Sequence, residues 1–169
     1  MLTEEVLFAE RNKTKQAFID LCRSMKPTHW GTLVFNNYQS PEACYKTIKH
    51  FLSNLERKLN RTKYFYRLPK SKRIQAVCFA EHLSTNIHYH VVLVVPPNHH
   101  VGFQVEAIKA WFKVCKKGNA KIDPIMTDQD FFQTTNYSLK ELYQQPNYES
   151  FILASQYWHN DRRTVPNMG

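Results

Sequence analysis

The spacing of hydrophobic residues along the chain predicts alternating helices and strands. Helical periodicity predicts helices over Asn12–Met25, Pro41–Asn60, Phe103–Val114 and Asp128–Tyr143. Runs of strand-forming residues predict strands over Trp30–Phe35, Arg73–Glu81, Ile87–Val95 and Ala120–Met126. The segment from Tyr148 onward is expected to add a further strand or a short helix through FILASQYW. This mixture of elements indicates the α+β class in a single domain, residues 1–169, with a flexible polar tail from about residue 160.

Local signals fix the start of one helix and the buried face of another. Ser40 and Pro41 are typical of an N-cap followed by a first-turn proline, so the second helix is expected to begin there. In the third helix, the hydrophobic stripe is predicted to comprise Val105, Ile108, Trp111 and Phe112.

Two histidines, His88 and His90, stand at the start of the strand Ile87–Val95. Alternate side chains of a strand share a face, so both imidazoles point one way while Tyr89 and Val91 point the other. Two neighbouring imidazoles are either part of a metal site or a pair of structural histidines satisfied by hydrogen bonds.

A divalent ion needs further ligands, and the end of the preceding strand offers two candidates. Glu81 is the preferred third ligand, with His82 as the alternative. A carboxylate beside two imidazoles suits Mn²⁺ or Mg²⁺, whereas a third histidine favours a softer metal. Glu81 as a solvated charge at the strand end is the structural alternative.

The sequence YSLK places Tyr137 and Lys140 three residues apart in the last predicted helix, on one helical face. A phenol can attack phosphorus when a metal ion polarises the phosphate and a nearby cation stabilises the developing charge. Taken alone, this pair is typical of an exposed aromatic ring beside a solvated lysine.

The composition is basic, with Lys+Arg 23 against Asp+Glu 14 and a net charge of +9. Such an excess favours a polyanionic partner, either nucleic acid or an anionic membrane surface. The best candidates for DNA contact fall in the stretch from 58 to 73, which has no acidic residue: Lys58, Arg61, Lys63, Tyr64, Arg67, Lys70, Lys72 and Arg73. A solvated loop is the alternative interpretation.

A smaller basic cluster comprises Lys113, Lys116, Lys117 and Lys121. Asn36 and Asn37 follow the first strand and either contact DNA or form a simple turn.

Several classes of function are disfavoured by what the sequence lacks. Its four cysteines contain no CxxC pair, which argues against a zinc knuckle or a disulfide framework. The acidic N-terminus does not resemble a signal peptide, and the longest apolar run, Val91–Val95, is too short to span a bilayer. We therefore expect a soluble, cytoplasmic protein without membrane association. No GxxxxGK[ST] motif occurs, so any helicase activity must come from another protein.

In the order of its motifs, the chain resembles the HUH endonucleases. The resemblance lies in GTLVFNN (Gly31–Asn37), in EHLSTNIHYH (Glu81–His90) and in YSLK (Tyr137–Lys140). It implies a ferredoxin-like central antiparallel sheet of about five strands flanked by helices. It also implies that His88, His90 and Glu81 hold Mn²⁺ or Mg²⁺, that Tyr137 is the nucleophile and that Lys140 positions the reacting groups.

The activity implied by this resemblance is nicking of single-stranded or hairpin origin DNA, through a 5′-phosphotyrosine that later permits rejoining. Tyr143 is followed three residues later by Pro146 and not by lysine, which favours a single-tyrosine mechanism. A replication initiator of a virus or plasmid, working with a separate helicase and polymerase, is the first interpretation. The alternatives are a single-tyrosine transposase acting as a homodimer, and a non-catalytic basic nucleic-acid-binding domain with structural histidines.

Overall fold

The computed structural model describes residues 4–82, 85–139 and 151–153. The helices are α1 (Glu4–Ser24), α2 (Pro41–Asn60), α3 (Phe103–Val114) and α4 (Asp128–Ser138). The strands are β1 (His29–Val34), β2 (Gln75–Glu81), β3 (His88–Val94), β4 (Asn119–Pro124) and β5 (Phe151–Leu153). Short 3₁₀ turns are formed by Phe65–Arg67, Lys70–Lys72 and Pro97–His99. The α+β class is confirmed. None of the helices in the described ranges is long and apolar enough to cross a membrane.

The strands form one antiparallel sheet in the order β4-β1-β3-β2-β5. β1 and β4 have 6 residues each, and β2 and β3 have 7 each. β5 contributes only 3 residues beside β2. Within the described residues, the body of the sheet therefore consists of four strands, fewer than the expected number, and β5 is a short strand at its edge.

Helices cover the two faces of the sheet and create two hydrophobic clusters. One face packs against α2 and α3, and its cluster includes Leu33, Tyr89, Val91, Phe51 and Trp111. The other face packs against α1 and α4 through a smaller cluster that includes Ile19, Cys22, Val77, Phe79, Val92 and Phe131. Strand alternation therefore places His88 and His90, which share the face of Val92, on the side of α1 and α4.

The structure corrects the predicted bounds of several elements, among them α1, β4 and α4. α1 begins at Glu4 and not at Asn12, because its first turns carry helix formers such as Glu4, Ala9 and Glu10, which give no hydrophobic stripe for the sequence pattern to detect. β4 runs from Asn119 to Pro124 and tolerates the proline because it is an edge strand. α4 ends at Ser138, with Leu139 as its C-cap, and the rest of the predicted helix, 140–143, lies outside the described residues.

The buried face of α3 also differs from the predicted stripe. Val105 and Phe112 are exposed, whereas Phe103 and Trp111 are buried together with Ala107 and Ala110. The small alanines allow α3 to lie close to its neighbours, and a count of large side chains overlooks them.

The start of α2 is confirmed, since Ser40 Oγ accepts a hydrogen bond of 3.2 Å from Ala43 N.

Candidate metal centre

Glu81 and the two strand histidines converge at one end of the sheet. The antiparallel register of β2 and β3 pairs Glu81 directly with His88. Oε2 of Glu81 lies 2.8 Å from Nε2 of His88 and 3.0 Å from Nε2 of His90. Glu81 and His90 are each only 1% exposed. One carboxylate oxygen thus meets both imidazoles in a nearly closed site, the donor set that a divalent ion uses.

The His90 ring is held from its far side by β1. Its Nδ1 lies 3.1 Å from Oγ1 of Thr32, which is the residue paired with His90 across the sheet. Its Nε2 approaches Glu81 without the geometry of a hydrogen bond, so this buried nitrogen has no hydrogen-bond partner among the described residues. A buried, oriented and unsatisfied imidazole nitrogen is what a metal ligand requires.

His82, the alternative ligand, also belongs to this cluster. One potential ligand atom from each of Glu81, His82 and His88 lies within 4.8 Å of the others. Strand alternation would turn His82 away from Glu81, but its φ of 55° ends the strand and lets the imidazole return. The rings of His82 and His88 are 4.9 Å apart. The exposed His82 therefore reaches the site from the solvent side.

Tyr137 lies beside the histidines, in the last turn of α4. Its ring meets the His90 ring edge to face, with 5.2 Å between their centroids. The residue is 53% exposed, while its neighbours Ser138 and Leu139 are buried and hold the end of the helix in place. The phenol is therefore both next to the site and open to a substrate. Lys140 and Tyr143 lie outside the described residues.

Three cysteines and the strand residue Tyr89 are poor candidates for the nucleophile because they are buried. Burial raises the pKa of the Cys22 and Cys78 thiols to about 12 and that of Cys44 to about 11. Burial likewise raises the pKa of Tyr89, which points to the opposite face of the sheet. These groups remain protonated at neutral pH.

The basic segment predicted to contact DNA does not reach the metal centre. It precedes β2 at Gln75, and Gln75 pairs with Val94, whereas Glu81 at the far end of the same strand pairs with His88. The length of a seven-residue strand separates the two ends by about 20 Å. Of the residues ranked first as DNA contacts, Asn36 and Asn37 are the ones that lie at the end of the sheet that carries the site.

The asparagines follow β1, whose last residue, Val34, pairs with His88. Asn36 has a φ of 58° and donates a hydrogen bond of 3.0 Å from Nδ2 to the carbonyl of Lys117. It therefore ties the loop after β1 to the loop before β4. Asn37 accepts a hydrogen bond from Gln39 through its Oδ1. Because Asn37 is exposed, its side chain remains accessible to a ligand.

The sequence did not identify Thr32 as a site residue, and it placed the basic cluster containing Lys121 second among the candidates for DNA contact. Thr32 pairs with His90 on β3 and with Lys121 on β4. Thr32 and Lys121 therefore lie in the same row of residues as His90, which crosses the sheet through the site. Lys121 Nζ lies 3.2 Å from Asp123 and packs over Trp30. Nothing local marks Thr32 in the sequence, because only the pairing of β1 with β3 brings it to His90.

Comparison with known proteins gives limited similarity. No protein-family model matches the chain, and no similar sequence is found among curated proteins. A solved structure of the hypothetical protein ORF119 from Sulfolobus islandicus rod-shaped virus 1 is similar at 17% identity and a TM-score of 0.46. The alignment covers 74% of this chain and 90% of that chain.

Proposed function

We propose that this chain is a single-tyrosine HUH endonuclease that nicks and rejoins single-stranded DNA with the help of Mn²⁺ or Mg²⁺. The observation that carries the proposal is the convergence of Glu81 Oε2 on the Nε2 atoms of His88 and His90, at 2.8 and 3.0 Å, beside the exposed Tyr137. The combination supplies a set of metal ligands and an accessible phenol in one place.

The topology supports the ferredoxin-like fold that this proposal includes. From β1 to β4 the elements follow the order β-α-β-β-α-β, with the strands arranged as β4-β1-β3-β2. This is the order of a split βαβ arrangement. In this fold both histidines lie on a central strand, where packing on either side fixes their direction.

His88, His90 and Glu81 would hold the metal ion, with His82 as a further ligand from the solvent side. When bound, such an ion would supply Lewis-acid chemistry by withdrawing charge from the scissile phosphate. A hydrogen bond between Thr32 Oγ1 and Nδ1 of His90 would keep the Nε2 of His90 directed into the site, with Thr32 as the acceptor when Nε2 binds the metal. The negative charge of the buried Glu81 would partly neutralise the positive charge of the bound metal ion.

Tyr137 Oη attacks the phosphorus, so that an O–P bond to the tyrosine forms as the P–O3′ bond of the DNA breaks. The phenol loses its proton to solvent, and the departing 3′ oxygen takes one up. The products are a 5′-phosphotyrosine and a free 3′-OH. One phosphodiester bond replaces another, and no phosphodiester is hydrolysed. A strand with a 3′-OH can therefore reverse the step and rejoin the DNA.

We further assign the activity to replication initiation on single-stranded or hairpin origin DNA. The free 3′-OH left by the nick can prime synthesis by a separate polymerase. In this proposal, a separate helicase would unwind the duplex. The basic net charge of +9 supports binding of such a polyanion.

The test is the formation of a covalent adduct. The protein is incubated with labelled single-stranded oligonucleotides from its own genetic element, with Mn²⁺ or with EDTA, and run on a denaturing gel. We expect a Mn²⁺-dependent adduct that Tyr137→Phe abolishes without weakening DNA binding.

The matched control is Tyr38→Phe, which removes the hydroxyl of another exposed tyrosine at the same end of the sheet. An adduct that persists in Tyr137→Phe but disappears in Tyr38→Phe would reassign the nucleophile. Salt-sensitive binding without any adduct, unchanged by EDTA, would instead favour the non-catalytic binding domain.

A further inference from the structure

The segment 61–72 joins α2 to β2 and forms an exposed basic surface at the end of the sheet opposite the candidate metal centre. Phe65, which is 3% exposed, anchors it in the core, while Tyr64 and Tyr66 on either side are 46% and 44% exposed. The buried ring fixes the 3₁₀ turn Phe65–Arg67, so its two neighbours are presented to solvent from a defined backbone.

The two exposed tyrosines form a cluster with cations. Their ring centroids are 6.3 Å apart. The Arg67 guanidinium lies 4.9 Å from the centroid of Tyr64 and 5.8 Å from that of Tyr66, and Lys63 Nζ lies 5.1 Å from that of Tyr64. Aromatic rings and guanidinium planes are both surfaces on which unpaired bases stack. A positive charge beside the rings also attracts the phosphates that connect those bases.

Within the described part of the chain, acidic side chains do not neutralise the charges of this surface. Two cations flanking the segment have acidic neighbours, since Lys58 lies 3.7 Å from Glu106 and Arg73 interacts with Glu56. Among the described residues, no ion pair with a carboxylate is formed by the five cations within the segment: Arg61, Lys63, Arg67, Lys70 and Lys72. These five are therefore available to a polyanion.

A small cavity of about 100 Å³ adjoins the segment. Its lining includes Lys70, Arg73 and Gln75, and Arg73 Nε makes no hydrogen bond within the described part of the chain. Met25, Ile74, Ala76 and Leu153 make the rest of the lining apolar, so Lys70 and Arg73 form the one charged side of the cavity, where a phosphate group can bind.

We propose that segment 61–72 is a second binding site, which takes single-stranded nucleic acid by stacking bases on Tyr64 and Tyr66 and neutralising phosphates with the surrounding cations. It lies about 20 Å from the candidate metal centre, the length of β2. The inference goes beyond the proposed function, because binding here requires neither a metal ion nor Tyr137. In a nicking enzyme, such a site would hold a strand several nucleotides away from the cut.

The test measures binding of a fluorescein-labelled oligo-dT of about 30 nucleotides by fluorescence anisotropy, in EDTA and with Tyr137→Phe as the background. We expect the double variant Tyr64→Ala/Tyr66→Ala to raise the Kd at least tenfold. The double variant Tyr64→Phe/Tyr66→Phe keeps the rings and is expected to bind normally. Lys70→Ala/Lys72→Ala should weaken binding and flatten its dependence on salt.

The control for charge is Arg11→Ala/Lys13→Ala, which removes two exposed cations from α1 and should leave the Kd within a factor of about two. Circular dichroism establishes that each variant is folded, and the lysine variants test the site if the alanine variants of the tyrosines do not fold. An unchanged Kd in the segment variants, or an equal loss in the α1 control, would overturn the proposal. Tighter binding of a duplex of the same length would overturn the assignment to single strands.

Because this assay contains no metal ion and no nucleophile, its failure would leave the adduct experiment unaffected. Conversely, loss of the adduct with retained, ring-dependent binding would refute the nicking mechanism and leave the second site in place.

Discussion

Thr32 Oγ1 lies 3.1 Å from Nδ1 of His90, across the pairing of β1 with β3. This contact gives His90 a fixed orientation, because one ring nitrogen is engaged and the other is directed toward Glu81. A neutral imidazole that binds metal through Nε2 carries its proton on Nδ1, and here the hydroxyl of Thr32 is positioned to accept it. Thr32 is thus a positioning residue, two strands away from the carboxylate that it helps His90 to meet.

Replacing Thr32 by valine should weaken metal binding without removing a ligand. Valine has nearly the shape of threonine but no acceptor for the Nδ1 proton, so we expect the affinity for Mn²⁺ to fall about 10- to 100-fold. Titration calorimetry with Mn²⁺ measures the change. Thr32→Ser restores the hydroxyl and should recover most of the affinity, and failure of serine to do so would contradict the positioning role.

Mn²⁺ should stabilise the folded protein through the histidine pair. A ligand that binds only the folded state, at a concentration about 100 times its Kd, stabilises by about 2.7 kcal/mol, which is visible as a higher Tm. We expect this increase in wild type and its loss in His90→Ala. His50→Ala, which changes an exposed histidine on α2, should keep it. An equal increase in Tm for His90→Ala would exclude His90 as a ligand.

Glu56 should make the protein less stable as the pH rises. This buried carboxylate accepts hydrogen bonds from Ile74 N at 2.6 Å and Asn60 Nδ2 at 2.7 Å, yet burial raises its pKa to about 7. The folded state therefore binds a proton that the unfolded chain releases near pH 4.5, and stability is lost between that pH and 7. The loss is at most roughly 3 kcal/mol. Chemical unfolding across this pH range should show that Glu56→Gln lacks this loss.

His29 should have the opposite effect. Burial, followed by the nearby charge of His100, lowers the pKa of His29 to about 4 from 6.5. The unfolded chain therefore binds the proton first, and stability falls as the pH drops through that interval. The two trends oppose each other in wild type, so its stability should vary little between about pH 4.5 and 6.5.

The paired variants separate these two contributions. We expect the stability of Glu56→Gln to rise with pH over this interval, since only the His29 effect remains, and that of His29→Gln to fall. Parallel pH profiles for the two variants would show that these groups do not control the pH dependence.

Local sequence patterns predicted much of the secondary structure. Ser40 and Pro41 identified the start of α2, because an N-cap acts on its own first turn. Less was predictable where burial depends on a neighbour. On α3, Ala107 and Ala110 lie inside while Val105 and Phe112 lie outside, since close packing of the helix favoured small side chains. The early start of α1 was missed because its first turns have no hydrophobic stripe.

Strand alternation alone placed His88 and His90 on one face, and composition alone gave a basic chain, since both depend only on the order and number of residues. Which residues meet was decided by the pairing of strands that are distant in sequence. That pairing set Glu81 against both imidazoles and brought Thr32 to His90. The same strand pairing also placed the basic segment far from the site, because the segment precedes the first residue of β2 and Glu81 is the last residue of that strand. Spacing along the chain does not show which strands will pair, so only the tertiary structure decided these contacts.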